Sequence, residues 1–180
     1  MEIRRITRLD AEALWKLRFQ ALEDEPAAFG ESAEELHETG IEAYAERISN
    51  AGKDDFIFGA FAGSGLIGMA GFFRLKNRKE QHKGWIWGVY VSPEFRARGA
   101  GRALLQNVVQ AARDLPDVRV LHLKVAATQQ AARNLYLSLG FRSIGVEPLA
   151  LRIDDGFVDE DHLILQLAAP DSTASSAGEL

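Results

Sequence analysis

At 180 residues the chain has the size of one domain and enough length to bury a sizeable core. Its formal net charge of −5 argues against a general nucleic-acid binder, whose phosphate contacts demand a basic surface. Cysteine is absent, which excludes disulfides, thiolate metal sites and cysteine nucleophiles, and no apolar run is long enough to span a bilayer.

Residues 2–7 alternate apolar and polar side chains and read as a first strand. No signal-peptide core occupies this stretch, so the cytoplasm is the expected location. Asp10 can cap a helix reaching Leu22, with Leu14, Leu17 and Phe19 recurring near helical period. Pro26 cannot continue that helix, and residues 26–32 form a loop around Phe29 and Gly30. Thr39 is the expected cap of a second helix carrying Ile41, Tyr44, Ala45 and Ile48, which closes at Asn50-Ala51-Gly52.

Strands over 56–62 and 66–75, joined by Gly63-Ser64-Gly65, predict a hairpin. Residues 85–91 are apolar on both faces, as a covered central strand should be. An amphipathic helix follows over 101–115, a strand over 118–125, and a second amphipathic helix over 129–139 that Gly140 ends. Extended structure resumes at 141–145. A last hairpin turns at Asp154-Asp155-Gly156 and returns through 162–167. Residues 168–180 are small, polar and proline-containing, the composition of a disordered tail. No repeat or linker divides 1–167, which reads as a single mixed α/β domain with a right-handed parallel crossover between 85 and 125.

The most informative stretch is Val91-Ser92-Pro93-Glu94-Phe95-Arg96-Ala97-Arg98-Gly99-Ala100-Gly101-Arg102. A strand enters a basic, glycine-containing turn that opens a helix, an order that points backbone N–H groups at one spot. Gly99 and Gly101 let the chain approach a ligand, and Arg96, Arg98 and Arg102 surround it with positive charge. The pattern by itself fits an ordinary strand-to-helix turn equally well. It is not a P-loop, because Gly101-Arg102-Ala103 lacks the lysine and the hydroxyl. It is not a Rossmann fingerprint either, because Leu104 stands where the third glycine belongs.

A second motif, Ala132-Arg133-Asn134-Leu135-Tyr136-Leu137-Ser138-Leu139-Gly140-Phe141, follows the first by one helix and one strand. In that order and spacing the pair resembles the GNAT superfamily of acyl-CoA-dependent N-acetyltransferases. The resemblance implies a central mixed sheet flanked by helices, whose fourth and fifth strands (85–91 and 118–125) splay apart. It implies one acyl-CoA N-acyltransferase domain over 1–167. Acetyl-CoA would lie in the splay, with its pantetheine arm pairing main-chain groups near Val89 and Val91. Its pyrophosphate would rest on the amides of Arg98, Gly99, Ala100, Gly101 and Arg102, with Arg96 in a secondary role. Tyr136 matches the family's tyrosine, which protonates the departing thiolate as the tetrahedral intermediate collapses. Without the flanking Asn134-Leu135 and Gly140-Phe141, Tyr136 reads as a core residue of its helix; with them it reads as the acid. Asn134 either bonds the cofactor arm or caps local backbone.

The chain departs from the family in two places. Gln129 stands where many members have asparagine after the fifth strand, with Thr128 beside it. Trp85 stands where histone-acetyltransferase relatives carry a basic glutamate. Proton loss from the amine then needs a relay, for which Glu31, Glu34, Glu35, His82 and His122 are candidates. Phe29, Glu31, Glu34, Glu35 and Trp87 fall in the family's acceptor segment or beside it. Their acidity suggests a cationic acceptor such as a polyamine, an amino sugar or a lysine-like amine. The expected reaction moves an acetyl group from acetyl-CoA to a primary amine of a small molecule or peptide, by direct attack in a ternary complex. The alternative is a non-catalytic acyl-CoA-binding or sensing module, which would not need Tyr136. No metal is expected, since His37 and His162 lack ligand spacing. No nucleic-acid or membrane partner is expected, and homodimers are common among such proteins.

Overall fold

The computed structural model describes residues 1–167; the expected tail at 168–180 lies outside the described residues. The chain runs β1 (Glu2–Arg5), α1 (Ala11–Asp24), α2 (Ala33–Asn50), β2 (Asp55–Ala62), β3 (Gly65–Arg74), β4 (Lys83–Val91), α3 (Ala100–Arg113), β5 (Val120–Ala126), α4 (Gln130–Ser138), β6 (Arg142–Ile153) and β7 (Gly156–Gln166). The strands form one seven-stranded sheet in the order β1-β2-β3-β4-β5-β7-β6. β4 and β5 are parallel, and all other neighbours are antiparallel. This is the mixed α/β architecture that the sequence implied.

Each face of the sheet has its own apolar layer. The stripe of α3 buries Leu104, Leu105, Val108 and Ala112 against Phe72, Ile86, Leu121 and Leu123. On the other face, Leu14, Leu17 and Leu22 of α1 join Leu36 and Tyr44 of α2 over Phe61, Met69 and Tyr90. Each fully buried leucine contributes about 1.5–3 kcal/mol relative to an exposed one.

Three local expectations are corrected. The second helix starts at Ala33, not after Thr39. Ser32 Oγ accepts from the Glu35 N–H at 3.2 Å while the Glu35 carboxylate accepts from the Ser32 N–H at 2.8 Å, a reciprocal cap. Gly40, at φ +73°, then interrupts the helix, so its second half does begin just past Thr39. Asp10 precedes α1 but turns back: its carboxylate accepts from the Thr7 N–H at 2.9 Å and pairs with Arg4 at 2.7 Å. The last hairpin is longer than its sequence pattern suggested. Its ladder resumes at Leu151↔Val158 after an irregularity around Leu149, which sits at φ +57° and breaks the alternation.

The feature that positions the site is the short contact between β4 and β5. Their register contains only Lys83↔Val120, Gly84↔Leu121 and Trp85↔His122. Beyond Trp85 the strands part, leaving main-chain groups on the facing edges in need of partners. β4 is also irregular there: its register against β3 shifts between Met69 and Gly71, and Gly88 adopts φ +62°.

Candidate active site

The parted strands enclose a cleft of about 440 Å³. One wall is β4 from Ile86 onward and the turn into α3; the other is the end of β5 and the start of α4. Val89, Val91, Gly99, Ala100, Gly101, Arg102 and Tyr136 line it, and Phe29 and Trp87 close one end.

The turn before α3 is shaped for an anion. Ala97 and Gly99 both have positive φ, +59° and +84°, a left-handed backbone that turns successive N–H groups inward. The first bond into the helix is Ala103 N–H to the Gly99 carbonyl, 3.0 Å, so the amides of Ala100, Gly101 and Arg102 have no intrahelical acceptor, and no side chain caps them. A Cβ on Gly99 would meet nothing within 4 Å, so this glycine serves the backbone angle and the open approach. Gly101 differs: its Cβ would stand 3.2 Å from Leu135, so its absence lets α3 sit against α4. Ala97 also lines the cleft and was missed. An alanine carries no sequence signal for positive φ.

Two of the three arginines around the turn are held by protein oxygens. Arg96 donates from Nε to the Val91 carbonyl at 2.9 Å and pairs with Glu25 at 3.0 Å, so that carbonyl is already taken. Arg102 donates to Ser138 Oγ at 2.7 Å and joins α3 to α4. Arg98 lies outside the cleft with its guanidinium 5.7 Å from the Phe95 ring. Asn134 is exposed and also lies outside the lining. Gln129 does reach the cleft and donates to Glu25 at 2.8 Å. Glu25, accepting from Arg96 and Gln129, therefore bridges the two walls, and nothing in its sequence context announced this.

Tyr136 is 6% exposed and packs edge-on to Phe141. Tyr136 is among the residues that line the cleft. Burial pushes the phenol above its ordinary range, so the proton stays on through neutral and mildly alkaline pH.

The expected acidic wall does not form. Glu31 is committed to Arg18, with Oε2 accepting from Nε at 3.1 Å and Nη2 at 3.0 Å. Glu34 and Glu35 are exposed on the first turn of α2, outside the cleft, with Glu35 engaged in the helix cap. Among the other relay candidates, His82 is exposed in the β3–β4 connection. His122 sits at the apex of the splay, its Nδ1 3.2 Å from Nε2 of His162, with Trp85 stacked 5.2 and 5.1 Å from the two rings. Burial pushes both imidazoles below their ordinary value. Among the described residues no cluster of three or more His, Cys, Asp or Glu is placed to hold a metal. Among the described residues no helix is long and apolar enough to cross a membrane.

A mixed sheet with two parallel strands parted beside a helix start whose first amides are free, and a buried tyrosine lining the gap, is the arrangement that the resemblance to acyl-CoA-dependent N-acetyltransferases implied. The family assignment agrees: residues 14–141 match the Acetyltransferase (GNAT) family, and the chain belongs to it. N-alpha-acetyltransferase RimI of Mycobacterium tuberculosis is 34% identical over 95 residues, 53% of this chain and 57% of that protein. The [ribosomal protein bS18]-alanine N-acetyltransferase of Escherichia coli is 33% identical over 82 residues, 46% and 53% of the two chains. The chain thus matches little more than half the length of these relatives. Among solved structures, the putative acetyltransferase YncA from Salmonella typhimurium, determined with acetyl-CoA, superposes with a TM-score of 0.78 at 22% identity, covering 96% of this chain and 98% of that one. A GNAT-family acetyltransferase from Streptococcus pneumoniae gives 0.77 at 21% identity, covering 92% and 99%. At such identities the structures share the fold.

Proposed function

We propose that this chain is an N-acetyltransferase that moves an acetyl group from acetyl-CoA to a primary amine by direct attack within a ternary complex. The observation that carries the reading is the convergence of three features on one cleft: unpaired strand edges, unpaired helix amides and the Tyr136 hydroxyl. The residues present fit acetyl-CoA. The amides of 100–102 suit a pyrophosphate, and the edge of β4 near Val89 suits an amide-bearing arm. When bound, acetyl-CoA supplies an activated acyl thioester. Tyr136 holds a proton at Oη where a departing sulfur can take it. Because burial strengthens the hold on that proton, Tyr136 acts first as a hydrogen-bond donor to the sulfur and completes the transfer only as negative charge develops there. The chain has no cysteine to form an acyl-enzyme, in keeping with direct transfer.

The acceptor we infer is an α-amine, that of a peptide N-terminus or of an amino acid. The activities named for the relatives support it, and so does the loss of the acidic wall that a polyamine would have needed. The proton of the incoming ammonium has one candidate sink at the apex, the neutral His122–His162 pair. Thiol release from acetyl-CoA across a panel of amines tests the reading. Release with α-amines supports it, whereas binding of CoA with no release for any amine would make the chain a non-catalytic acyl-CoA module.

A further inference from the structure

Beyond Trp85 no main-chain bond joins β4 to β5, so the width of the cleft depends on side chains. Among the described residues two side-chain links span the walls. Arg102–Ser138 is exposed and runs from α3 to α4, and Ser138 is not part of the lining. The other link runs through Glu25, which lines the cleft together with both of its partners. Oε1 of Glu25 accepts from Arg96 Nη1 at 3.0 Å, and Oε2 accepts from Gln129 Nε2 at 2.8 Å.

Each of the three residues is fixed at its own base. Glu25 closes α1, with its N–H donating to the Ala21 carbonyl at 3.0 Å, and its neighbour Asp24 accepts from Tyr90 Oη of β4 at 2.5 Å. Arg96 is held to the end of β4 by the bond from its Nε to the Val91 carbonyl, 2.9 Å. The Gln129 N–H donates to the Ala126 carbonyl at 2.9 Å, and the Gln129 carbonyl accepts from the Arg133 N–H at 3.0 Å, so this residue belongs to the join of β5 and α4. Glu25 is therefore anchored on the β4 side twice, through Asp24 and through Arg96. It reaches the β5 side through one charge-assisted hydrogen bond, the one from Gln129. The bond lies at the open end of the splay, past the last residues of both strands.

We propose that Glu25 is a positioning residue for the amide-bearing arm of the acyl-CoA: by holding the Gln129 wall to the Arg96 wall it sets the width of the cleft in which the arm lies. The inference rests on the acyl-CoA reading above. With the link intact the walls already stand at the width the arm needs, and binding spends nothing on ordering them. With the link gone the walls are joined at the apex and by the exposed Arg102–Ser138 bond alone, and the arm has to order them itself. The free amides of 100–102 belong to the first turn of α3 and do not depend on Glu25, so the pyrophosphate and the arm respond differently to its loss.

The test measures binding to the full chain by calorimetry with two ligands: acetyl-CoA, and 3′-phospho-ADP, the part of CoA that keeps the pyrophosphate and lacks the arm. Glu25→Ala should raise the acetyl-CoA Kd about tenfold, the size expected for loss of a hydrogen bond to a charged group, and leave the 3′-phospho-ADP Kd unchanged. Gln129→Ala should raise the acetyl-CoA Kd to the same extent. The double variant Glu25→Ala, Gln129→Ala should lose no more than either single variant, because each of them breaks the same link. Should Glu25→Ala unfold, Glu25→Met, which keeps the stem and cannot hold both donors, takes its place in the cycle. Equal losses for the two ligands would make Glu25 a support of the α3 turn and overturn the proposal. An unchanged acetyl-CoA Kd overturns it as well, and so do additive losses in the double variant, which would give Gln129 a ligand contact independent of Glu25. A wild type that binds both ligands equally tightly draws nothing from the arm, which overturns the proposal and leaves the acyl-CoA reading standing. A wild type that binds neither overturns both.

Discussion

The two ends of the cleft are built from different materials. The α3 end is made of backbone: amides of 100–102, the angles at Ala97 and Gly99, and the free edge of β4. Two of its arginines, Arg96 and Arg102, are bound to protein oxygens at Val91, Glu25 and Ser138. The opposite end carries side chains of the loop after α1 and of β4, Phe29 and Trp87, with the Arg18–Glu31 pair packed beside Phe29. A site made of backbone suits a ligand part common to every reaction cycle, because main-chain donors do not change with residue type. A site made of side chains suits the part that distinguishes one enzyme from another.

The sharpest way to break the comparison is at Gly99. Gly99→Val forces a β-branched residue to φ +84°, a strain on the order of 1–3 kcal/mol, and places methyl groups over the free amides. The CoA-induced rise in melting temperature should vanish. A full rise would show that the phosphates lie elsewhere. Gly101→Val should instead lower stability without CoA, because its Cβ meets Leu135 at 3.2 Å.

Tyr136→Phe comes next. It should lower kcat about 10- to 100-fold, or ~1.4–2.7 kcal/mol of barrier, with the acetyl-CoA KM nearly unchanged. The ring stays in its packing against Phe141, so the melting temperature should hold. A lost affinity with kcat intact would make Tyr136 a cofactor-holding residue.

A smaller effect separates helix from wall at the start of α2. Ser32→Ala removes half of the reciprocal cap and should reduce stability by ~1 kcal/mol. Glu34→Gln should change neither stability nor acceptor KM measurably. A rise in acceptor KM in either variant would return this segment to the substrate wall.

The smallest effect is in pH. Burial is the main cause that holds the His122 and His162 imidazoles below their ordinary value; His162, Lys83 and His82 add to it at His122, and Lys124 adds to it at His162, where Glu147, Asp161 and Glu160 oppose. As pH falls through about 6.5, the unfolded chain takes up these protons before the folded one, so stability drops with acidification. The drop levels off only once the folded imidazoles are charged as well. A double His122→Phe, His162→Phe variant should lose less melting temperature between about pH 7.5 and pH 5.5 than the wild type. Equal slopes would place the acid sensitivity elsewhere.

Legibility in the sequence followed the range of the interactions. The α3 turn could be read because its glycines, its strand and its helix are adjacent in the chain. The reciprocal cap Ser32–Glu35 was equally local and could have been read, but the apolar period after Gly40 drew the helix start to Thr39. The Glu25 bridge to Arg96 and Gln129 was not readable, since its partners come from three separated segments. For the same reason the acidic run 31–35 misled. Charge in sequence does not reveal that Arg18, from the preceding helix, neutralises Glu31.

By itself the sequence determined the order of elements, the parallel crossover, the glycine turn that opens α3 and the family, because each depends on backbone requirements met within a few residues. Tertiary structure alone decided which arginines are free, which glutamates face the cleft, and that Arg18 stands against Gly88. Those facts depend on where side chains from distant segments meet when the sheet closes, and no local pattern encodes that meeting.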